Sequence, residues 1–228
     1  MNAISFSLYG TDPKYLVGAL ENAVQAKEFY PGWEVHFWTG EVTFNVVSQL
    51  LSSGAFVHPA PNSDIPNGMF WRFLVHDNPE ITRYIIRDVD SRFSEREVRA
   101  VHEWILADTK LHVMRDHPYH NQPIMGGMWG WTKEPGDFDM FPWAKAAGQE
   151  VRFGRDQEFL YKWAWKHAKS KTIHDSCGTY DGTRNWPLNG PEFVGEYIDE
   201  HGLPNTQHRE MRLKHIENTI PALASGVR

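Results

Sequence analysis

The chain has 228 residues, 41% hydrophobic and 23% charged, enough for one soluble domain with a full core. Its net charge is −6, from 23 basic and 29 acidic residues, which removes any bulk electrostatic case for nucleic acid binding. The single cysteine, Cys177, excludes an intrachain disulfide framework, and no apolar run approaches the roughly 20 residues of a membrane span.

The opening Met1-Asn2-Ala3-Ile4-Ser5 has neither the basic start nor the apolar stretch of a secretory leader, so the expected setting is reducing and cytoplasmic. Ile4 to Tyr9 reads as a strand, broken by Gly10-Thr11-Asp12-Pro13. Asp12 is a good N-cap and Pro13 suits the first helical position, so a helix follows to about Phe29. Glu34 to Thr39 is a second strand, Val42 to Leu51 a second helix and Ala55 to His58 a short strand. A turn-rich loop through Gly68 precedes a helical Met69 to His76, and Arg83 to Arg87 is the next strand. Ser94-Glu95-Arg96-Glu97 matches a capping box and opens a helix to about Ala107. Leu111 to Met114 reads as a strand, as does Pro123 to Thr132 with its internal Gly126-Gly127. A helix from Gly154 to about Lys166, a strand from Lys171 to His174, a loop to Gly190 and a helix from about Gln207 complete the chain. This alternation predicts a mostly parallel α/β sheet, with ligands beyond the carboxyl ends of its strands.

At the end of the Arg83 strand stand Asp88-Val89-Asp90. Two residues apart on extended backbone, the carboxylates project to one side, and two like charges that close call for a cation. Oxygen donors suit Mn²⁺ or Mg²⁺. An EF-hand loop begun at Asp88 would put Gly sixth and Glu twelfth, where Phe93 and Arg99 stand. A haloacid-dehalogenase phosphatase would place a small hydroxyl residue where Arg92 is. No Cys/His set has zinc-site spacing. Ten tryptophans suit either a large aromatic core or sugar-stacking platforms. His112, His117 and His120 surround Arg115-Asp116, as metal ligands or as a polar loop over the cleft.

In their order along the chain, these pieces resemble the GT-A glycosyltransferases, which take a sugar from a nucleotide diphosphate donor. The resemblance implies one GT-A (Rossmann-like) domain, with residues 1–92 the nucleotide half and 93–228 the acceptor and sugar side. By it, Leu8, Tyr9, Gly10 and Thr11 cradle the nucleoside, and Arg72, Asp88 and Val89 also meet the donor nucleotide. Gly126, Gly127 and Asp156 face the donor sugar, and Asp156-Gln157 carries the catalytic residues. His174-Asp175-Ser176-Cys177-Gly178 with Arg184-Asn185-Trp186-Pro187 is similar to the His…Gly…Lys-Pro-Trp ending of retaining family 8 galactosyltransferases, although the spacing is longer, Arg184 replaces lysine, and Trp and Pro are reordered. That likeness makes His174 the third metal ligand beside Asp88 and Asp90, gives Arg184 to the diphosphate, and implies retention. The Leu-Tyr-Gly opening and the Met-Phe-Trp-Arg segment also resemble small glycosyltransferase domains of large algal viruses.

The expected partners are a nucleotide sugar, UDP-linked, and a glycan or other hydroxyl acceptor. If the enzyme inverted, a carboxylate would have to deprotonate the acceptor, with Asp156 first and Glu158 behind it. A metal-dependent phosphohydrolase and a non-catalytic carbohydrate-binding protein are the competing classes.

Overall fold

The computed structural model describes residues 1–178 and 184–224 of the chain. Asp12 accepts a hydrogen bond from the Lys14 amide at 3.2 Å and launches α1 (Pro13–Phe29), as its cap chemistry predicts. The other helices are α2 (Phe44–Ser52), α3 (Glu95–Ala107), α4 (Met140–Ala147), α5 (Arg155–Leu160) and α6 (Thr206–Ala224). The strands are β1 (Asn2–Leu8), β2 (Glu34–Thr39), β3 (Phe56–Pro59), β4 (Arg83–Arg87), β5 (Leu111–Arg115), β6 (Met128–Thr132), β7 (Lys171–Asp175) and β8 (Arg184–Asn185). They form one sheet in the order β3-β2-β1-β4-β6-β5-β7-β8. All neighbours run parallel except β6, which is antiparallel to both β4 and β5.

Alternation in the central strands divides the core in two. Ile4, Phe6, Leu8, Phe37 and Ile85 pack under α1, α2 and α3. Tyr84, Ile86, Trp129 and Trp131 face the other way, against the 3₁₀ segment Gly68–Asp77, α4 and α5. Trp163 joins this second layer, its ring centroid 5.0 Å from that of Trp131, while Trp165 is only partly buried. The tryptophan-rich composition is therefore mostly core.

Three local expectations change. The strand expected over 123–132 begins only at Met128, because Gly126-Gly127 forms the approach to it. The helix from 155 is α-helical only to Leu160 and continues as a π turn, Tyr161–Trp165. The helix α4 is a further element, its first turn held by the Asp77 carboxylate, which accepts from the Phe141 amide at 2.8 Å. That cap comes from 64 residues away and has no local signature.

The capping box at Ser94 is half formed. Ser94 Oγ accepts from the Glu97 amide at 3.2 Å, but Glu97 does not reach back. Its buried carboxylate instead accepts from Arg87 Nε at 2.6 Å and Tyr30 Oη at 2.9 Å, joining β4, α1 and α3 inside the core. Removing one partner of a buried pair strands the other charge. Glu97→Ala is therefore expected to lose about 3–5 kcal/mol of unfolding free energy in urea denaturation, far more than a surface Glu→Ala change.

Candidate active site

The site grows from strand register. β1 and β4 are parallel neighbours, and antiparallel β6 sets Met128 opposite Arg87. One step beyond that pair, Gly127 meets Asp88. A Cβ on Gly127 would overlap Asp88 Oδ2 and lie 2.9 Å from the Asp88 amide nitrogen. A Cβ on Gly126 would overlap Asp156 Oδ2 and come within 2.8 Å of Arg72 Nη2. Only glycine lets this backbone pass so close to the carboxylates.

Arg72 is buried and lies between two of those carboxylates. Its Nη1 donates to Asp88 Oδ1, and its Nη2 donates to Asp156 Oδ2 at 3.1 Å. Its amide donates to Ser7 Oγ at 2.9 Å, which docks the 3₁₀ segment on β1. Asp156 is not the cap of α5, since Gly154 holds that position; it stands in the first turn, buried beside Arg72. Burial raises its carboxyl above the ordinary range, and Arg72 opposes the rise.

The backbone of the acidic pair is clamped from α1. Asn22 Nδ2 donates to Val89 O at 3.1 Å and to Ser91 O at 2.9 Å. One turn earlier, Gly18 leaves room for the Val89 carbonyl, which a Cβ would overlap. From the other side the Ile198 amide donates to Asp90 O at 2.8 Å. Asp88 keeps a side chain 47% exposed, open to a ligand. The Asp90 carboxyl is pushed up to about 6, first by burial and then by the neighbouring Asp88 charge.

Two adjoining lobes make the cleft. One, of about 390 Å³, is lined by Ser7, Tyr9, Tyr15 and Val89. The other, of about 250 Å³, is lined by His120, Gly126, Gly127, Asp156, Gln157 and Tyr197. Met69, Arg72, Asp88, Asp90 and Phe153 line both. The fold thus gathers Tyr9, Arg72, Asp88, Val89, Asp90, Gly126, Gly127, Asp156 and Gln157 as the sequence pattern anticipates.

Other expectations do not hold. Leu8 is fully buried in the α1-side core, because strand alternation turns it away from Ser7 and the cleft. Gly10 and Thr11 are exposed in the turn after β1 and are not among the residues lining either lobe. His174 is not brought to the acidic pair. Its Nδ1 lies 3.0 Å from His112 Nε2 and its Nε2 lies 3.0 Å from Glu103 Oε2, so β7 turns the ring toward α3. Among the described residues no cluster of three His, Cys, Asp or Glu side chains forms a complete metal site. His112 stacks on Trp104 in the core, while His120 does reach the cleft. The side chain of Arg184 lies outside the described residues.

Asp88 and Asp90 nevertheless suit a hard divalent ion. They are two carboxylates lining both lobes, and Asp90, raised first by burial and then by the Asp88 charge, would be relieved by a cation beside it. Sequence reasoning missed Gly18, Asn22, Tyr15, Phe153 and Tyr197. Of these, Gly18 and Asn22 carried a signal, a small and a polar residue at i and i+4 on the inner face of α1.

The chain is similar to the galactosyltransferase LgtC solved with donor and acceptor sugar analogs, at a TM-score of 0.53 and 14% identity over 78% of this chain and 74% of that one. An active-site mutant of LgtC matches at a TM-score of 0.53 and 13% identity, with the same coverage. A glycosyltransferase involved in glycosylation of the major capsid of PBCV-1 aligns at a TM-score of 0.48 and 14% identity, over 77% of this chain and 82% of that one. No protein-family profile and no curated protein matches the sequence. The eight-stranded sheet, with one antiparallel strand beside the acidic pair, is the GT-A glycosyltransferase fold. No helix among the described residues is long and apolar enough to cross a membrane.

Metal binding at the pair should titrate. A cation binds the ionised carboxylates, and Asp90 in the metal-free protein holds its proton up to about 6. Lowering the pH through that value makes the ion compete with a proton. Mn²⁺ affinity measured by calorimetry is expected to fall about tenfold between pH 7 and pH 5 and to stay level above pH 7. An affinity flat across that range would remove Asp90 from the ligand set.

Proposed function

We propose that the chain is a metal-dependent glycosyltransferase that moves a sugar from a UDP-linked donor to a hydroxyl of a glycan or similar acceptor, with retention. The observation that carries this reading is the joining of the acidic pair, a buried arginine and the Gly126-Gly127 approach in one cleft of a GT-A fold. LgtC, which shares the fold, was solved with donor and acceptor sugar analogs.

Residues 1–92 supply the nucleotide side of the cleft. Ser7, Tyr9 and Tyr15 line the lobe suited to base and ribose. Asp88 and Asp90 would hold Mn²⁺ or Mg²⁺, with the remaining positions left to donor phosphate and water. Such an ion supplies Lewis-acid stabilisation of the charge that develops on the leaving diphosphate. Arg72 adds a fixed positive charge beside the same place, already oriented and sheltered from water. Residues 93–228 supply the sugar side, with the backbone at Gly126-Gly127 and the side chains of Asp156 and Gln157.

Retention suits these groups. A free carboxylate base is what inversion needs, and Asp156 is committed to Arg72. The acceptor oxygen bonds to the anomeric carbon on the face that the diphosphate leaves. As the carbon–phosphate oxygen bond breaks, the acceptor proton passes to the departing phosphate oxygen. Asp156 and Gln157 stabilise positive charge on the ring during this exchange.

The test is calorimetric titration of UDP-glucose and UDP-galactose with and without Mn²⁺. The wild type is expected to bind at least one of them about tenfold or more tightly with the metal, and Asp90→Asn to show no metal dependence. The variant should melt no lower than the wild type, because it removes a carboxyl whose ionisation burial disfavours. Phosphate release from simple esters without sugar transfer would point to a metal-dependent phosphohydrolase instead, and sugar binding indifferent to Mn²⁺ to a non-catalytic carbohydrate-binding protein.

A further inference from the structure

Phe153 is 89% exposed, yet it lines both lobes of the cleft. A large apolar ring left in water gains nothing for the fold. Its exposure does not come from a loose loop. The α4–α5 connection is tied to the Asn67 region, where Asn67 Nδ2 donates to Glu150 O at 2.9 Å and the Asn67 amide donates to Gly148 O at 3.0 Å. On the residue before Phe153, Arg152 Nη2 donates to both oxygens of Glu158, at 2.8 and 2.7 Å. Beyond it, Arg155 Nε donates to Ala147 O at 3.2 Å. The ring is held out on a braced support.

Its position is specific. The residues shared by the two lobes are Arg72, Asp88, Asp90, Met69 and Phe153. The first three are the charged groups of the proposed diphosphate subsite. The bond to be broken joins that diphosphate to the sugar, so it lies at the boundary between the lobes. An acceptor must reach this boundary from solvent, and Phe153 is the exposed apolar group there. Tyr197 also lines the sugar-side lobe, from the segment whose Ile198 amide holds Asp90 O. In the same lobe His120 is neutral: its Nδ1 accepts from the Asp116 amide at 3.0 Å, which puts its proton on Nε2 as a donor for a hydroxyl.

We infer that Phe153 is the platform of the acceptor subsite, and that the acceptor is a glycan whose terminal pyranose lays its C–H face on this ring while its hydroxyls meet the polar groups around it. This rests on the glycosyltransferase reading and narrows its acceptor from any hydroxyl compound to a sugar ring. A pyranose has an apolar face and a polar rim, which matches an exposed aromatic ring beside donors and carboxylates. An open-chain polyol has no such face and would gain little from Phe153.

The experiment compares the wild type with Phe153→Ala and Phe153→Trp. The donors are UDP-glucose and UDP-galactose with Mn²⁺; the acceptors are the methyl α- and β-pyranosides of glucose, galactose and mannose, with glycerol as the open-chain control. Phe153→Ala is expected to raise KM for the accepted pyranoside about tenfold with kcat unchanged, because stacking holds ground and transition states alike. Use of glycerol and the affinity for UDP should not change, and Phe153→Trp should restore the pyranoside KM. In parallel, saturation-transfer NMR on the protein with UDP and diamagnetic Mg²⁺ reads pyranoside binding without turnover, and Phe153→Ala should sharply reduce the transfer. The inference is overturned if Phe153→Ala leaves pyranoside KM and saturation transfer unchanged. It also falls if UDP affinity drops by the same factor, which would put the nucleobase on this ring, or if the wild type binds none of the pyranosides. Intact Mn²⁺-dependent UDP binding alongside such a failure would leave the transferase reading standing. Loss of UDP-sugar binding in the wild type would sink that reading, while the NMR arm still decides the platform.

Discussion

A buried guanidinium held between two carboxylates organises this molecule's cleft. Burial opposes the charge on Arg72, and Asp88 and Asp156 outweigh it. Those partners lie 16 and 84 residues away, so one side chain ties the 3₁₀ segment to the end of β4 and to the start of α5. Three charged groups packed this closely leave no room for a Cβ on the segment that crosses them, which is why Gly126-Gly127 enters β6 there. Loss of Arg72 would leave two buried or half-buried acids facing each other, a cost in stability as well as in ligand binding.

The two members of the acidic pair are not equivalent. Asp88 is bound to Arg72 and keeps an open edge toward the cleft. Asp90 carries an electrostatic penalty, first from burial and then from the Asp88 charge, and its carboxyl stands at about 6. A divalent ion beside it would relieve that penalty. The backbone between them is held from both sides, by Asn22 on α1 and by the Ile198 amide. The backbone that carries the pair is therefore held from two segments before any ligand arrives.

The aromatic residues divide by role. Trp129, Trp131 and Trp163 fill the layer between the sheet and α4–α5, with the Phe73 and Phe159 rings beside them. Phe153 is apart from them, on the same side of the fold but turned outward over the cleft. The packed aromatics give α5 a firm base, and α5 in turn holds both Asp156 and the loop that carries Phe153.

Much of the architecture was readable along the chain. The strand Arg83–Arg87 with Asp88 and Asp90 after it, the Asp12 cap and the Ser94 cap are local signals, set by alternation, turn residues and side-chain-to-backbone bonds within a few positions. That Tyr9, Arg72 and Asp156 line one cleft was readable only through the order of motifs. What failed was whatever depends on facing. Leu8 and Ser7 differ by one residue, and alternation sends one to the core and the other to Arg72. His174 stands in a strand that the sequence locates well, but its neighbours in space, His112 and Glu103, claim both ring nitrogens on the α3 side. By itself the sequence determined most of the strands and helices, though not α4 or β8, and that two carboxylates end a central strand, because those follow from short-range pattern. The tertiary structure alone decided which side chains share the cleft, because the antiparallel turn of β6 and the faces of β1 and β7 are settled by pairing between distant segments.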